Sequence, residues 1–425
     1  MHLLKHQEQA IELLKDYSSC AFFHPMGSGK TYTGSVKAVS FGEPILTLCQ
    51  KSKIDDWCKH FGEIFPDWAV YDLSKPKNID AFVADGSRRK VGVVSYDTLW
   101  RRPTLLKMRG LTLLADESSL ISNEQAKRTK AIVKLKKQGR LDHVVLLSGT
   151  PIDGKYERLV SQAWLLGWDI TKRDFWDRYV ITRDLYIPGQ YRPVQLVSGY
   201  KNTEELKEKL REYGAHFLTV EDCLKSLPSQ TFMKVETKAP SAYKKMEKDS
   251  ICSIKGEELV GNDVLSRRLY LRQICGQYND ARYEAIKDLL ETTEERALIF
   301  YNFTAEKERL ISICESLKKP VSEVSGSKKD LSAYENDEDS VTILQYQAGA
   351  MGLNLQKSRI IIYASLPERS ELYEQSKCRT WREGQTRPCL YYVCKCPGTI
   401  EDDIEEALSR KKDLVDYLFE QGKTA

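Results

Sequence analysis

The chain has 425 residues, of which 41% are hydrophobic and 30% are charged, a composition typical of folded globular proteins. Because this length exceeds what one hydrophobic core usually supports, we expect two or three domains. The 65 basic and 61 acidic residues leave a net charge of only +4, which excludes a general attraction to polyanions, so any nucleic-acid site must be local.

Six β-rich runs occupy the first third of the chain. They are nearly continuous in apolar residues, and amphipathic segments long enough for helices lie between several of them. This alternation predicts a parallel sheet covered by helices on both faces. The predicted strands are residues 20–24, 45–49, 68–73, 91–96, 111–116 and 143–149.

The alternation stops between about residues 155 and 225, where Trp, Phe and Tyr recur at helical spacing. Such aromatic residues are more often core than a base-stacking platform, although both interpretations stay open at this point. We therefore predict a helical insertion. Its helices are predicted in AWLLGWDI (163–170), FWDRYV (175–180) and TEELKEKLREYGAHFL (203–218).

A second set of strands then predicts another α/β lobe. The resulting fold class is α/β, with two lobes flanking the helical insertion. The predicted domains are residues 1–154, 155–228 and 229–425. The strands of the second lobe are predicted at residues 297–303, 322–326, 341–347, 359–365 and 389–394.

The segment HPMGSGKT (24–31) follows the first predicted strand and opens a helix, which is the context of a phosphate-binding loop. Gly27 and Gly29 let backbone N–H groups turn toward phosphate oxygens, and Lys30 can reach the β and γ phosphates. The Thr31 hydroxyl can hold Mg²⁺. The strict pattern has glycine where His24 stands, but GSGKT after a strand still predicts a nucleotide site.

Two further strand ends carry candidate residues. In LTLLADESSL, Asp116 can hold Mg²⁺ through its water shell, and Glu117 can polarise an attacking water. An isolated Asp-Glu is usually a loop start, but its position downstream of a phosphate-binding loop favours the functional interpretation. In LLSGTPI (146–152), Ser148 and Thr150 can report the nucleotide state, or form an ordinary turn.

Two arginines lie three positions apart in YEQSKCRTWREGQTRP (373–388), at Arg379 and Arg382. On a helix they would share one face, and charged helix faces usually point at water. The residues alone leave open whether this is a solvated surface or a functional pair.

The cysteines and the basic clusters receive structural interpretations. Cys394 and Cys396 lie in a strand-like run without a second pair or a nearby histidine, so we interpret them as reduced packing residues, not metal ligands. The basic segments at residues 87–90, 101–110 and 126–140 are interpreted as solvated faces unless the fold brings them together.

No apolar run reaches the roughly 18 residues of a membrane span. The N-terminal residues also lack a signal-peptide pattern. A cytoplasmic protein without a membrane partner is expected.

The ordered motifs from Leu4 to about Leu408 resemble the Swi/Snf-type ATPases of helicase superfamily two, in a compact form suited to a bacterial cell or a phage-infected host. YQAGAMGLNLQKSR carries the family's Ala-Gly-x-x-Gly-x-Asn-Leu motif, and QSKCRTWREGQ carries its Gln-x-x-x-Arg-x-x-Arg-x-Gly-Gln motif. The resemblance also includes LKHQEQAIELL, LTLCQKSKIDDW, VGVVSYDTLWR, DESSLISNEQAKRTKAI, FLTVEDCLKSLPSQ and LRQICGQYND.

The resemblance implies two RecA-like lobes that bind ATP and Mg²⁺, with Thr31 and Asp116 at the metal and Gln7 reading adenine. It implies nucleotide contacts at Gln7, Met26, Gly27, Ser28, Gly29, Lys30, Thr31, Gly352 and Asn354. The implied catalytic residues are Lys30, Asp116, Glu117, Gln375, Arg379 and Arg382, and the coupling residues are Ser148, Gly149 and Thr150. In this interpretation Arg379 and Arg382 are arginine fingers on one helix face with Gln375. DNA contacts are implied at Lys51, Ser52, Ser95, Tyr96, Asn302, Ser325 and Gln347.

Two departures from the family pattern affect these expectations. The acidic box reads Asp-Glu-Ser-Ser where the family often has Asp-Glu-Ala-His, so the coupling made by that histidine would fall to Ser119 or be absent. Leu218 and Thr219 stand where members commonly carry paired arginines.

The predicted function is an ATP-dependent, DNA-stimulated motor that translocates on duplex DNA with little sequence preference. Its partner is the phosphate backbone of duplex DNA, and a protein partner is unknown. The alternatives are a strand-separating DNA or RNA helicase, and an ATP-gated nucleic-acid-binding scaffold with little turnover.

Overall fold

The computed structural model describes residues 3–152, 155–186, 193–223, 227–349, 353–382 and 384–419. The chain divides into two compact units, one formed by Met1–Lys225 with Asp413–Ala425 and the other by Ser226–Lys412. The predicted domain boundaries at residues 154 and 228 stay predictions.

The first unit is built on a seven-stranded parallel sheet with the order β3-β4-β2-β5-β6-β1-β9. Two further strands, β7 and β8, form a separate antiparallel hairpin. The strands are β1 (Ser19–Phe23), β2 (Ile45–Cys49), β3 (Ala69–Asp72), β4 (Lys90–Ser95), β5 (Leu111–Asp116), β6 (Leu141–Ser148), β7 (Val180–Leu185), β8 (Val194–Tyr200) and β9 (Ala215–Phe217).

Helices cover this sheet on both faces. Two apolar clusters, one centred on residues such as Phe23 and Leu146 and the other on Phe22 and Leu147, form the core. The helices are α1 (Lys5–Leu13), α2 (Lys30–Ser40), α3 (Ile54–Ile64), α4 (Pro76–Ala84), α5 (Tyr96–Leu99), α6 (Pro103–Lys107), α7 (Lys127–Lys137), α8 (Val160–Leu166), α9 (Lys172–Tyr179), α10 (Thr203–Glu212) and α11 (Val220–Cys223). Short 3₁₀ helices occur at Lys51–Lys53, Ser118–Ile121 and Tyr156–Leu159.

The insertion differs from the prediction at two places. The helix predicted over 203–218 ends at Glu212, because Gly214 adopts φ +86° and a side chain there would collide with the Ser19 carbonyl. Ala215–Phe217 then joins the sheet beside β1. Residues 180–200, for which no strand was predicted, contain the β7–β8 hairpin, whose Val, Ile and Thr residues favour extended structure.

The second unit has its own seven-stranded sheet with the order β10-β18-β17-β13-β16-β14-β15. All its pairs are parallel except β14–β15. Strands β11 and β12 form a small antiparallel pair. The strands are β10 (Gln230–Glu236), β11 (Ile251–Ile254), β12 (Glu257–Val260), β13 (Ala297–Tyr301), β14 (Val321–Val324), β15 (Lys329–Asp330), β16 (Val341–Gln345), β17 (Ile360–Tyr363) and β18 (Cys389–Lys395).

The second unit also has apolar clusters on both faces of its sheet. No helix among the described residues combines the length and the apolar composition needed to span a membrane. The helices of this unit are α12 (Ala242–Asp249), α13 (Val264–Cys275), α14 (Asp280–Glu291), α15 (Thr304–Ser316), α16 (Ser332–Asn336), α17 (Tyr346–Gly349), α18 (Ser370–Lys377) and α19 (Ile400–Phe419), of which residues 400–412 belong to this unit.

The predicted fold class, two RecA-like α/β lobes whose parallel sheets are covered by helices, is confirmed. The helical insertion predicted after the first lobe also contains the β7–β8 hairpin. All eleven predicted strands are present, with ends within two residues of the predicted ones. In the first unit β5, β6 and β1 are neighbours, and their registers align Phe23 with Ser148 and Asp116 with Leu147. The carboxyl ends that carry the candidate motifs therefore lie together at one sheet edge.

Candidate nucleotide site and motor motifs

The loop between β1 and α2 has the backbone that a phosphate site requires. Gly27 and Gly29 have φ of +83° and +74°, a left-handed conformation that residues other than glycine rarely adopt. Gly29 caps α2, whose first turn contains no acidic residue, so its positive end is available to an anion. The Ser28 hydroxyl is buried without a hydrogen-bond partner among the described residues. The loop fits a bound phosphate group.

The ammonium group of Lys30 lies at the centre of this loop. Its Nζ donates to the carbonyls of His24 at 2.9 Å and Pro25 at 3.0 Å. Met26 and Thr31, the other predicted contacts, are half-buried beside it. The loop thus holds its own cation in place by carbonyl contacts.

Asp116 lies close enough to Lys30 to be affected by its charge. Burial raises the pKa of the Asp116 carboxyl, while the Trp57 indole, which donates to Asp116 Oδ2 at 2.9 Å, and the charge of Lys30 act in the opposite direction. The net shift of the Asp116 pKa is upward, so the neighbouring donors and cations do not fully offset the cost of burying its negative charge. A half-buried carboxylate of this kind beside a phosphate loop fits Mg²⁺.

Gln7 reaches the same loop from α1. Its Nε2 donates to the carbonyls of Ser28 at 3.0 Å and Gly29 at 3.3 Å, while its Oε1 accepts from the Leu4 backbone. His6 shares a 2.9 Å hydrogen bond with the Ser28 carbonyl, a contact that the sequence analysis missed. The start of α1 is therefore tied directly to the phosphate loop.

A cavity of about 700 Å³ opens beside α1. His6, Gln9 and Leu13 line it from α1, and His216 and Leu218 line it from the end of β9. Leu218, one of the two positions where the family pattern has arginine, thus contributes an apolar wall. Thr219 instead caps the following turn by bonding Asp222.

His24, the departure from the glycine pattern, is completely buried. Its Nε2 shares a 2.9 Å hydrogen bond with Nδ1 of His216 on β9. Burial holds the pKa of His24 well below its ordinary value and lowers that of His216 to about 4. Both rings are therefore neutral near pH 7, and together they tie the start of the phosphate loop to the edge strand.

The acidic box is connected to the 148–152 segment by two hydrogen bonds that begin at Ser118. Its hydroxyl donates to Gln162 Oε1 at 2.8 Å, and Gln162 Nε2 donates to the Pro151 carbonyl at 2.8 Å. The Ser119 hydroxyl has no hydrogen-bond partner among the described residues. The hydrogen bond from the acidic box to Gln162 is thus made by Ser118, and a coupling role for Ser119 stays a prediction. We call this path the Gln162 relay.

Glu117 and the predicted coupling residues flank this relay. Glu117 adopts φ +53° where β5 turns into the 3₁₀ helix. Ser148 Oγ accepts from the Thr150 backbone at 3.1 Å. A side chain at Gly149 would lie 3.3 Å from Lys30 Nζ, so this segment runs directly against the phosphate loop.

The predicted DNA contacts of the first unit differ in exposure. Lys51 and Ser52 are exposed on their 3₁₀ helix. Ser95 and Tyr96 are buried: Ser95 caps α5, and the Tyr96 hydroxyl donates to the Asp116 carbonyl at 2.7 Å. The side chains of Ser95 and Tyr96 therefore hold this segment in place. The exposed surface of the segment is formed by neighbouring residues.

The predicted DNA contacts of the second unit lie after three strands of its sheet. Asn302 donates to the Ser365 hydroxyl at 2.8 Å and the Leu366 carbonyl at 3.0 Å. Ser325 donates to Glu323 at 2.8 Å, and Gln347 is exposed. Because β13, β14 and β16 are neighbouring parallel strands, the three residues lie at the same sheet edge.

Arg379 and Arg382 converge on one carbonyl in the second unit. Their Nη1 atoms donate to the Leu353 carbonyl at 3.2 and 3.4 Å. The expectation of one shared helix face is wrong, because α18 ends at Lys377. Arg379 is instead held by donating its Nε–H to the Gln375 carbonyl at 3.0 Å.

The other predicted residues of this segment surround the arginines. The Gln375 side chain donates to Glu371 at 3.4 Å and is buried. Asn354 is exposed, next to the carbonyl that both arginines contact. Gly352 lies outside the described residues. The motif that ends in Asn-Leu and the two-arginine motif therefore meet within this unit.

A cysteine cluster in the second unit was missed by the sequence analysis. The ligand atoms of Cys275, Cys396 and Glu401 lie within 4.8 Å of one another. The Arg282 guanidinium group lies where a metal ion would have to bind. It donates to both Glu401 oxygens at 2.9 and 2.5 Å and to Cys396 Sγ at 3.4 Å. A hydrogen bond from Cys275 lowers the pKa of Cys396 to about 7. The cluster is better described as an ion pair with a polarised thiol than as a metal centre.

Comparisons with known proteins identify the family. The SNF2-related domain model matches residues 4–279, and the model of the helicase conserved C-terminal domain matches residues 281–384. The chain belongs to the SNF2-related family. The resemblance to Swi/Snf-type ATPases of superfamily two is thereby confirmed.

Curated relatives of this SNF2-related chain are similar along nearly all of it. It is 23% identical over 404 residues to the SWI/SNF-related matrix-associated actin-dependent regulator of chromatin subfamily A-like protein 1 of Drosophila melanogaster, covering 92% of this chain and 52% of that protein. It is 24% identical to the DNA repair and recombination protein RAD26 of Saccharomyces cerevisiae, covering 94% and 40%. The chain thus spans about half, or less, of the length of these relatives.

Among solved structures, the chain is similar to the SWI2/SNF2 ATPase core of Sulfolobus solfataricus in complex with dsDNA. The sequence identity is 19% and the TM-score is 0.44, with 98% of this chain and 93% of that chain covered.

Proposed function

We propose that this SNF2-related chain is an ATPase that is stimulated by duplex DNA and translocates along it. The observation that carries the proposal is the phosphate loop of the first unit, with Lys30 beside Asp116 and the Gln162 relay leading away from them. The matches of both helicase-type domain models, and a DNA repair and recombination protein among the relatives, support it.

The first unit would bind the nucleotide. The backbone around Gly27 and Gly29 and the Lys30 ammonium group would hold the phosphates, and Gln7 would hold the adenine end. Thr31 and Asp116 would hold Mg²⁺, which when bound neutralises charge on the phosphate oxygens. Glu117 would orient and polarise the attacking water.

The second unit would complete catalysis through Arg379 and Arg382. A guanidinium group directed at the transferred phosphoryl group stabilises the charge that develops in the transition state. Their shared contact with the Leu353 carbonyl fixes the two groups relative to each other. We propose Gln375 as the residue that positions Arg379 through its backbone carbonyl.

Duplex DNA would lie along the exposed residues that follow the strands of both sheets. The exposure of Lys51 and Ser52 in the first unit and of Gln347 in the second supports this proposal. Such groups contact phosphates and sugars, so we propose little preference for base sequence.

The experiment is ATP hydrolysis at fixed salt without nucleic acid, and then with duplex DNA, single-stranded DNA and RNA. We expect duplex DNA to stimulate most. Lys30→Ala should abolish hydrolysis, and Arg379→Ala should lower it roughly 10³-fold or more, the range measured for arginine fingers, while nucleotide binding by Arg379→Ala is largely kept. Lys59→Ala, an exposed change on α3, and Arg387→Ala, close in sequence to Arg379, are the matched controls.

Each outcome decides a different part of the proposal. Normal turnover by Arg379→Ala would reject the finger assignment. Equal stimulation by RNA would reject the duplex track, and slow turnover that ignores all nucleic acids would favour the ATP-gated scaffold.

A further inference from the structure

One face of α7 carries a row of lysines that are not paired with acidic groups among the described residues. Lys127, Lys130, Lys134 and Lys137 are all exposed, and we call them the lysine stripe. Their spacing of three, four and three residues places them within roughly 80° of the helix circumference, along about 15 Å of its length. The opposite face of α7 is buried in the core. The stripe therefore has a fixed shape and direction.

Carboxylates close to α7 act on residues outside the stripe, and Asp142 is close enough to act on Lys136. Asp97 pairs with Arg128 at 3.4 Å, and Glu124 pairs with Lys172. Among the described residues, no carboxylate lies within ion-pairing distance of a stripe lysine, and residues 125–141 contain no Asp or Glu. Two cations in the first turn also oppose the helix dipole. Lys134 and Lys137 lie in the last turn, where cations complement the dipole, so the dipole disfavours only the start of the stripe.

Tryptophan side chains lie at both ends of the stripe. Lys127 Nζ is 5.1 Å from the Trp100 ring centroid, and Lys137 Nζ is 5.2 Å from that of Trp164. The Arg101 Cζ atom also lies over the Trp100 ring, 4.9 Å from its centroid. These half-buried rings hold the flexible end lysines near the surface by cation–π attraction.

The stripe continues a surface already predicted to contact DNA. Trp100 follows α5, the helix that Ser95 caps, and Asp97 of α5 holds the N-terminus of α7 through Arg128. Since the side chains of Ser95 and Tyr96 are buried, the surface beside this segment consists of the exposed Asp97, Arg101 and Lys127 and the half-buried Trp100. The contact surface thus extends from α5 onto the stripe.

The charge spacing suits a nucleic-acid backbone. Phosphates of one DNA strand repeat every 3.4 Å along the axis, so about 15 Å of helix spans roughly four of them. Lysines act as point charges and do not require the planar geometry of base or carboxylate recognition. An acidic protein would more often be matched by an apolar centre with a charged rim.

We propose that the lysine stripe is a further contact of the first unit with the phosphate backbone of duplex DNA, beyond the motif residues. This inference rests on the proposed function. The stripe lysines bind phosphates and release counterions from the DNA. They thereby add affinity without adding a preference for particular bases.

The test compares two triple variants with the same loss of charge. Lys130→Gln/Lys134→Gln/Lys137→Gln neutralises most of the stripe. Lys244→Gln/Lys245→Gln/Lys248→Gln neutralises three exposed lysines of α12 in the second unit. Duplex affinity is measured by fluorescence anisotropy at several salt concentrations, and circular dichroism checks folding. Each lost phosphate contact should make the slope of log K against log [salt] shallower by about 0.9.

We expect the stripe variant to lose about two to three units of this slope, and the α12 variant to keep the slope of the unmodified chain. Equal slopes for the two variants would overturn the stripe assignment alone, which is also the outcome if the stripe serves an acidic protein. An unmodified chain that neither binds duplex DNA nor responds to it in hydrolysis would overturn the proposed function as well.

Discussion

His24 shows how a single departure from a motif is accommodated. The phosphate-loop pattern has glycine at this position, and the imidazole needs both space and a partner. His216, 192 residues later, supplies the hydrogen bond from β9. The sequence could not reveal the pair, because only the parallel pairing of β1 with β9 brings the two rings together.

The Arg282–Glu401 pair is the clearest prediction at the level of one residue. Both side chains are buried, with 0% and 6% exposure, and their bonds are bidentate. Removing one charge leaves the other uncompensated in the interior, which typically costs about 3–5 kcal/mol. We therefore expect Glu401→Gln to lower the free energy of unfolding by about that amount, measured by urea denaturation.

The matched control for this prediction is Glu63→Gln, in the exposed Lys59–Glu63 pair. Exposed pairs of this spacing contribute only about 0.3–0.5 kcal/mol. If the two variants were equally stable, the charge of Glu401 would not be essential to the second unit.

At the level of elements, the Gln162 relay joins the acidic box to the segment at the end of β6 through α8. Its hydrogen bonds are buried. We expect Gln162→Leu to reduce the DNA stimulation of hydrolysis about tenfold, within the usual range of coupling energies, with a smaller effect on nucleotide affinity. Hydrolysis rates with and without duplex DNA, and nucleotide titrations, provide the measurement.

Ser161→Ala is the control for this prediction. The Ser161 hydroxyl is also buried on α8 and donates to the Ile121 carbonyl at 2.7 Å, outside the relay. Losing either set of bonds should cost about 1–3 kcal/mol of stability. If both variants lost stimulation equally, the effect would come from the stability of α8 and the relay would have no coupling role.

Element boundaries show where local sequence patterns were insufficient. The periodicity predicted a helix to residue 218, but Gly214 ends it and β1 offers an unpaired edge. Likewise α18 ends at Lys377, so the two arginines meet through the Leu353 carbonyl and not through helical spacing. Both outcomes depend on partners that are distant in the chain.

At the level of the whole molecule, the small net charge of +4 leaves local surfaces to determine any interaction with DNA. Contacts by lysine and small polar groups to phosphates carry no base information. We expect duplexes of equal length, one rich in A·T and one rich in G·C, to stimulate hydrolysis equally, within about twofold at the same salt concentration. A strong preference for one of them would indicate base or shape readout.

The sequence by itself determined eleven of the fourteen strands described in the two seven-stranded sheets, the phosphate loop and the order of the family motifs. These are local properties, since strand patterns, glycine positions and motif spacing are set by residues close together in the chain. The eleven predicted strands could be identified for this reason.

Only the tertiary structure decided which side chains meet. The His24–His216 bond, the Gln162 relay and the Arg282–Glu401 pair each join residues far apart in sequence. The exposure of the lysine stripe and the burial of Tyr96 likewise depend on which helix face packs on the core. Chain pairing and packing fix these contacts, and no local pattern encodes them.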